Sequence, residues 1–487
     1  MSLGNKTLAT LPTGVERPRY DRSKLTAGIV HIGLGNFHRA HQAWYLHRLM
    51  QQGEALDWAI IGAGVRPGDA AMRDKLLEQD CLTTLIELDP SGTSAEVTGA
   101  MIDFLPVEED NATLITTMTD PAIRIVSLTV TEGGYFLDGS GALDTSHGDI
   151  IHDATYPDAP RTAFGAIIAA LKARRDRGLM PFTCQCCDNL QNNGEILRQV
   201  IIGLAELSAP DLADWINENA AFPNAMVDCI VPATGQAERD LVHKIGIDDA
   251  APVTHENYRQ WVIEDRFCAG RPPWENVGAT LTQDVHAYES MKIRMLNAGH
   301  QVLANVGEIL GLPTISSCMQ DAQVSAFFSK VQTEEIAPYV DAVPDLSPQK
   351  YLALIEKRFA NPAIRDTTRR VAFDGSSRHF GFVIPILQDA IEAKGSIVGL
   401  ALVEALWARM CAGLREDGSV IEPNDPHWMA LTEAAVKARS NPGAWLEQSV
   451  FYAGVADDMA FKAAFDDWLT LIWRDGARAA LDRYLAT

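Results

Sequence analysis

From Glu289 to Gly307 the chain reads ESMKIRMLNAGHQVLANVG, which brings a lysine, a carboxamide, an imidazole and a carboxylate into one short stretch. Taken as one helix from Ala287 to Leu310 at about 100° per residue, it places Lys292 within roughly 40° of Leu296, Leu303, Val306 and Leu310, on the apolar stripe. Glu289 and His300 project within about 80° of Lys292, and Asn297 about 140° away. A lysine on such a stripe has two fates. It snorkels to water, or it is desolvated, which penalises the ammonium form and makes the neutral amine a competent base. His300 alone would be an ordinary core histidine and Asn297 a helix-surface amide, but a base, an amide and an imidazole together on one helix point to a functional site.

Three other stretches set polar groups among apolar flanks: Cys187-Asp188-Asn189 after a strand, Val227-Asp228-Cys229, and RVAFDGSSR from Arg370 to Arg378. A carboxamide such as Asn189 at the C-terminal end of a parallel strand points into the crevice where α/β sheets bind ligands. Taken singly these residues are ordinary, since Asx side chains cap helices and arginines form solvated pairs. Gly33 and Gly35 form a Gly-x-Gly turn between strand and helix, the arrangement that lets backbone approach a pyrophosphate. The fingerprint is incomplete: His38 holds the third glycine position, and the nearest acidic residue able to take a ribose hydroxyl is Asp69, after the second strand. Cys184, Cys186 and Cys187 lack a second ligand pair at zinc spacing and are expected to be buried thiols, so no metal is expected.

Positioning these residues requires a sheet and a helical body. Ala27–Gly35, Trp58–Val65, Leu82–Leu88, Ile123–Thr131 and Phe182–Cys187 read as strands rich in Val and Ile. Helical patterns run over Phe37–Gln52, Ala70–Glu78, Thr162–Arg177 and Asn193–Leu207, so the sheet is expected to be mostly parallel and covered on both faces. Beyond about residue 285 strand signals fade. Ser347-Pro348 and Asn361-Pro362 look like helix starts, and long helices are expected over Ser396–Leu414 and Asp457–Tyr484. The expected architecture is an α/β Rossmann-type domain over 1–283 and a mostly α-helical domain over 284–487. The whole chain has 487 residues, 47% apolar and 22% charged, with a net charge of −23. That charge repels phosphate backbones and anionic lipid, so nucleic acid is not an expected partner. No apolar run approaches the roughly 18–20 residues of a membrane span and no signal-peptide core opens the chain, so a cytoplasmic location is expected.

Eight blocks in order resemble the mannitol dehydrogenase family, the polyol-specific long-chain dehydrogenases: GLGNFHRAHQAWY, EQDCLTTLIE, VSLTVTEGGY, CDNLQNNG, FPNAMVD, QWVIEDRF, MKIRMLNAGH and FDGSSR. The resemblance implies metal-independent NAD(P)(H) chemistry, often in a monomer. It implies Lys292 as general base, Asn189 with Asn297 as the pair that stabilises an alkoxide, and Glu289 as a carboxylate in proton exit. His300, Asp228, Arg370 and Arg378 match positions that hold substrate hydroxyls. Gly33, Gly35 and Phe37 match the nucleotide turn, and Asp69 the residue that favours NAD over NADP. Two departures concern the substrate: Cys229 stands where the family has Arg after Asp228, and Arg378-His379-Phe380 where the polyol branch has Lys-Phe-Pro. The chain carries Thr131-Glu132-Gly133-Gly134 where uronate reductases have Thr-Glu-Lys-Gly. The expected activity is NAD-dependent interconversion of a polyol and its ketose, of the mannitol to fructose type. A fructuronate or tagaturonate reductase and a non-catalytic dinucleotide sensor stand as the alternatives.

Overall fold

The computed structural model describes residues 2–344 and 346–487, Glu132 without its side chain. The chain divides into two units, the first ending at His286 and the second running Ala287–Thr487. The first is built on a five-stranded sheet of β1 (Ala27–Ile32), β2 (Ala59–Ala63), β3 (Met101–Phe104), β4 (Ile125–Leu128) and β5 (Thr183–Cys186). All its pairings are parallel and the spatial order is β3-β2-β1-β4-β5, a Rossmann-type order that reverses direction at β1 and β4.

Strand alternation explains why both faces are covered. Val30, Ile32, Val126 and Leu128 point into one core with the helices Ala112–Thr119, Ala163–Asp176 and Asn193–Ser208. Ile29 and Ile125 point to the other, among Leu46, Leu49 and Met50 of the helix Gln42–Gln51. Thr162 starts Ala163–Asp176 as its N-cap, its hydroxyl accepting the Gly165 N–H at 2.9 Å. The helix expected over Phe37–Gln52 is broken at His41 into Asn36–Ala40 and Gln42–Gln51, because His41 leaves helical geometry. Cys184, Cys186 and Cys187 are buried on and beside β5, and burial pushes the Cys184 and Cys187 thiols well above their usual range.

In the second unit the described residues form helices and isolated bridges but no strand. Val398–Cys411 is buried from Gly399 onward on every side, the two charged residues Glu404 and Arg409 included. Ser347 and Pro348 start the helix Pro348–Phe359, the Ser347 side chain accepting from the Lys350 N–H. Asn361-Pro362 starts no helix. Its carboxamide oxygen accepts the Ala363 N–H at 3.0 Å, an Asx turn that uses the capping chemistry without a helix behind it. The pattern Asp457–Tyr484 is two helices, Met459–Asp475 and Ala477–Leu485, parted by Gly476 at φ +89°. Among the described residues no helix is long and apolar enough to cross a membrane.

Candidate active site

The glycine turn leaves β1 at Gly33, whose φ of +89° is closed to side chains, and a Cβ there would collide with the Thr129 carbonyl oxygen. Gly35 is the N-cap of Asn36–Ala40, and a Cβ on it would meet nothing within 4 Å. The space beside the turn is a cavity of about 930 Å³ walled by Gly33, Leu34, Gly35, Asp69, Thr129 and Val130, among others. Its size and its glycine floor fit an extended dinucleotide. Asp69 opens the helix Asp69–Glu78, and its carboxylate accepts the Arg66 N–H at 3.0 Å. Phe37 is not among the cavity walls, and its ring stacks on His41.

His38 explains how the turn works without a third glycine. Its ring is buried and stacks on that of His31 at 3.4 Å. His31 is hydrogen-bonded to Ser127 Oγ at 2.8 Å and Thr129 Oγ1 at 2.9 Å, and the Thr129 hydroxyl donates to the Gly33 carbonyl. Helix and strand therefore meet through two imidazoles where the usual fingerprint uses a glycine. Burial holds both rings neutral, pushing His38 down to about 3 and His31 well below its usual value.

Asp188 follows β5 and takes the Val130 N–H at 3.0 Å, the Thr131 N–H at 2.9 Å and the Tyr135 hydroxyl at 2.7 Å. It thus ties the Asn189 bend to a wall of the nucleotide cavity. Asn193 continues the linkage, donating from its carboxamide to the Asp188 carbonyl at 3.0 Å and accepting the Ala225 N–H at 2.9 Å. Ala225 begins the strand Ala225–Asp228, which ends in the buried Asp228. Sequence analysis singles out the Cys187-Asp188-Asn189 stretch but gives Asp188 and Asn193 no role of their own, because each resembles an ordinary cap.

In the second unit the stretch Ala287–Leu310 is not a uniform α-helix. It runs as α-helix to Met291, as π-helix over Lys292–Asn297 and as α-helix again over Ala298–Leu310. A π-turn holds one more residue than an α-turn, about 100° of rotation. Subtracting it brings Asn297 from about 140° to about 40° of Lys292, and His300 to about 20° on the other side. The expectation that Asn297 faces away is corrected: base, amide and imidazole share one face. Lys292 is 7% exposed and Glu289 4%.

His300 is held by one ring face and one edge. Its ring stacks on Phe359 at 4.3 Å, and its Nε2 lies 3.8 Å from the Asp366 carboxylate. Asp366 receives both ends of the Arg370 fork at 2.7 Å each, and Arg378 donates to the Val371 carbonyl at 2.8 Å. Burial, reinforced by Arg370, Arg358 and Arg378 against the opposing pull of Asp366, brings His300 down to about 4. It is a neutral imidazole at neutral pH, suited to exchange hydrogen bonds with hydroxyls. Arg294, two residues after Lys292, donates to the Asp389 carboxylate and the Tyr339 carbonyl. Asp366 carries no motif that sequence reasoning could have singled out. Among the described residues no group of three or more His, Cys, Asp or Glu is arranged to hold a metal ion.

The mannitol dehydrogenase Rossmann domain matches residues 27–276, and the mannitol dehydrogenase C-terminal domain matches residues 284–473. A mannitol 2-dehydrogenase of Cereibacter sphaeroides is 54% identical over 97% of this chain and 99% of its own length. The structure of Pseudomonas fluorescens mannitol 2-dehydrogenase in ternary complex with NAD and D-mannitol superposes with a TM-score of 0.88 at 38% identity, covering all of both chains. A substrate-free D-sorbitol dehydrogenase superposes with a TM-score of 0.89 at 33% identity, covering 99% of this chain and all of that one. With both domains matched and relatives aligned end to end, this chain belongs to the mannitol dehydrogenase family.

Proposed function

We propose that this chain oxidises a secondary hydroxyl of a sugar alcohol to the ketose, in the manner of mannitol to fructose, and catalyses the reverse, with NAD as redox partner. The observation that carries the reading is the π-turn that gathers Lys292, Asn297 and His300 on one helix face. The mannitol 2-dehydrogenases among the relatives support the substrate class. The α/β domain over 1–283 is the dinucleotide domain in this reading, and 284–487 the substrate and catalytic domain.

NAD, when bound, supplies the hydride acceptor. Gly33 and Gly35 give its pyrophosphate room, and the Asp69 carboxylate favours a ribose diol over a 2′-phosphate. Lys292 as the neutral amine takes the hydroxyl proton. Asn189 and Asn297 donate to the oxygen as it gains negative charge, each donor contributing on the order of 10²- to 10³-fold. His300, Asp228, Arg370 and Arg378 hold the remaining hydroxyls, and Glu289 passes the proton from Lys292 toward water. Ketose reduction runs the same steps backward and needs the ammonium form of Lys292.

The test is a panel of D-mannitol, D-sorbitol, D-arabinitol and D-mannonate with NAD, followed by absorbance of the reduced cofactor. The expected result is highest kcat/KM with a polyol, mannitol foremost. Turnover confined to mannonate would replace this reading with that of a uronate reductase, and no turnover with any substrate would favour the sensor.

A further inference from the structure

The π-turn over Lys292–Asn297 has a visible prop. Gln332 is fully buried, and its side-chain amide donates to the Met295 carbonyl, inside the π-turn, at 2.8 Å. A π-turn loosens the regular hydrogen-bond ladder, and a side chain inserted against it is one of the few causes that hold a helix out of α geometry. Space for the amide comes from Gly299. A Cβ there would stand 2.5 Å from Gln332 Nε2 and 3.1 Å from Phe328 Cε2. Gly299 has no positive φ to account for it, so the close approach of Gln332 is its reason. Gln332 also opens a π-segment of its own, Gln332–Ile336.

We propose that Gln332, with the space left by Gly299, is a positioning residue for the oxidation: it holds the π-turn that sets Lys292 on the same face as Asn297 and His300. This rests on the reading of Lys292 as the base. Without the amide, the turn relaxes toward α geometry and the face rotates by about 100° between Lys292 and His300. A base displaced by even 1 Å loses on the order of a hundredfold in rate.

The experiment is a double-mutant cycle in the full-length protein, with Gln332→Met, Gly299→Ala and both together, beside wild type and Lys292→Ala. Gln332→Met keeps the volume and removes the donor. Each single variant is expected to lower kcat about a hundredfold while NAD affinity, measured by fluorescence titration, stays within twofold. The double variant is expected to be no slower than either single one, because both remove the same contact. Thermal melts of each variant followed by circular dichroism give the folded fraction, so a destabilised variant still yields a kcat, and Gly299→Ala tests the contact from its other side. Wild-type-like kcat in Gln332→Met, or losses that multiply in the double variant, would overturn the proposal. Full activity in Lys292→Ala would instead bring down the reading it rests on.

Discussion

Lys292 and Asn297 are the first and last residues of one π-helical segment, so five residues of chain bring them almost back to the same face. In a uniform α-helix the same spacing sets them about 140° apart. The local winding of the helix, as much as residue identity, is what makes this stretch a site.

Asp366 is expected to matter for substrate holding. It braces Arg370 through two hydrogen bonds and stands 3.8 Å from His300 Nε2. Asp366→Asn should raise KM for the polyol about tenfold, with KM for NAD unchanged. Because the Asp366 charge raises the His300 pKa, its removal should move that pKa below about 4. Nitrogen-15 shifts of labelled histidine across pH 3–7, assigned with His300→Gln, check the direction. An unmoved or rising titration midpoint would contradict it.

The two glycines of the nucleotide turn should fail differently. Gly33→Ala places a methyl against the Thr129 carbonyl at a φ closed to it, so it should lower the melting temperature and cofactor affinity together. Gly35→Ala meets nothing in the protein and should leave the melting temperature within a degree or two while raising KM for NAD. Calorimetry and cofactor titration of both variants separate the two effects, and equal melting losses would show that the turn has been misjudged.

Cofactor choice should follow Asp69. Its carboxylate lies in the cavity wall, held by the Arg66 N–H. The wild type is expected to prefer NAD to NADP, and Asp69→Ala to narrow that preference at least tenfold through the NADP term. Equal kcat/KM for both cofactors in the wild type would remove Asp69 from this role.

Acid should unfold the protein by way of its buried imidazoles. Burial depresses His31, His38, His47, His255 and His300, the last to about 4 and His38, His47 and His255 to about 3. Their stabilising contribution is complete above the unfolded value of about 6.5 and is lost as pH falls from there toward the folded values. Each costs about 1.4 kcal/mol per pH unit over that window. Melting temperature should therefore fall steeply below pH 6, and His38→Gln should flatten the slope. A flat profile from pH 7 to 4 would contradict the burial of these rings as neutral groups.

Much of this was readable before the fold was known, for reasons that differ by residue. The β-branched runs of β1 and β4 and the Ser347-Pro348 start are set by local sterics and capping, which short stretches of sequence carry. The rotation of Asn297 onto the Lys292 face was not readable, because it depends on Gln332, more than thirty residues away, donating to Met295. Asp366 was hidden for a similar reason, its role residing in a ring and a guanidinium that tertiary packing brings beside it. Asn361 shows the converse: its side chain caps as expected, but the chain beyond Pro362 turns away from helix. His38 looked like a defect in the glycine fingerprint until its stacking on His31 gave it a place.

The most direct test of the central claim is the pH dependence of polyol oxidation in wild type and Lys292→Ala, with and without a small primary amine. Wild-type kcat should rise with pH to a plateau as Lys292 loses its proton, while ketose reduction falls over the same range. Lys292→Ala should lose at least a thousandfold in kcat with cofactor affinity nearly unchanged, lose that pH dependence, and regain part of the rate with added methylamine. A near-normal kcat with an unchanged pH profile in Lys292→Ala would show that the lysine is not the base.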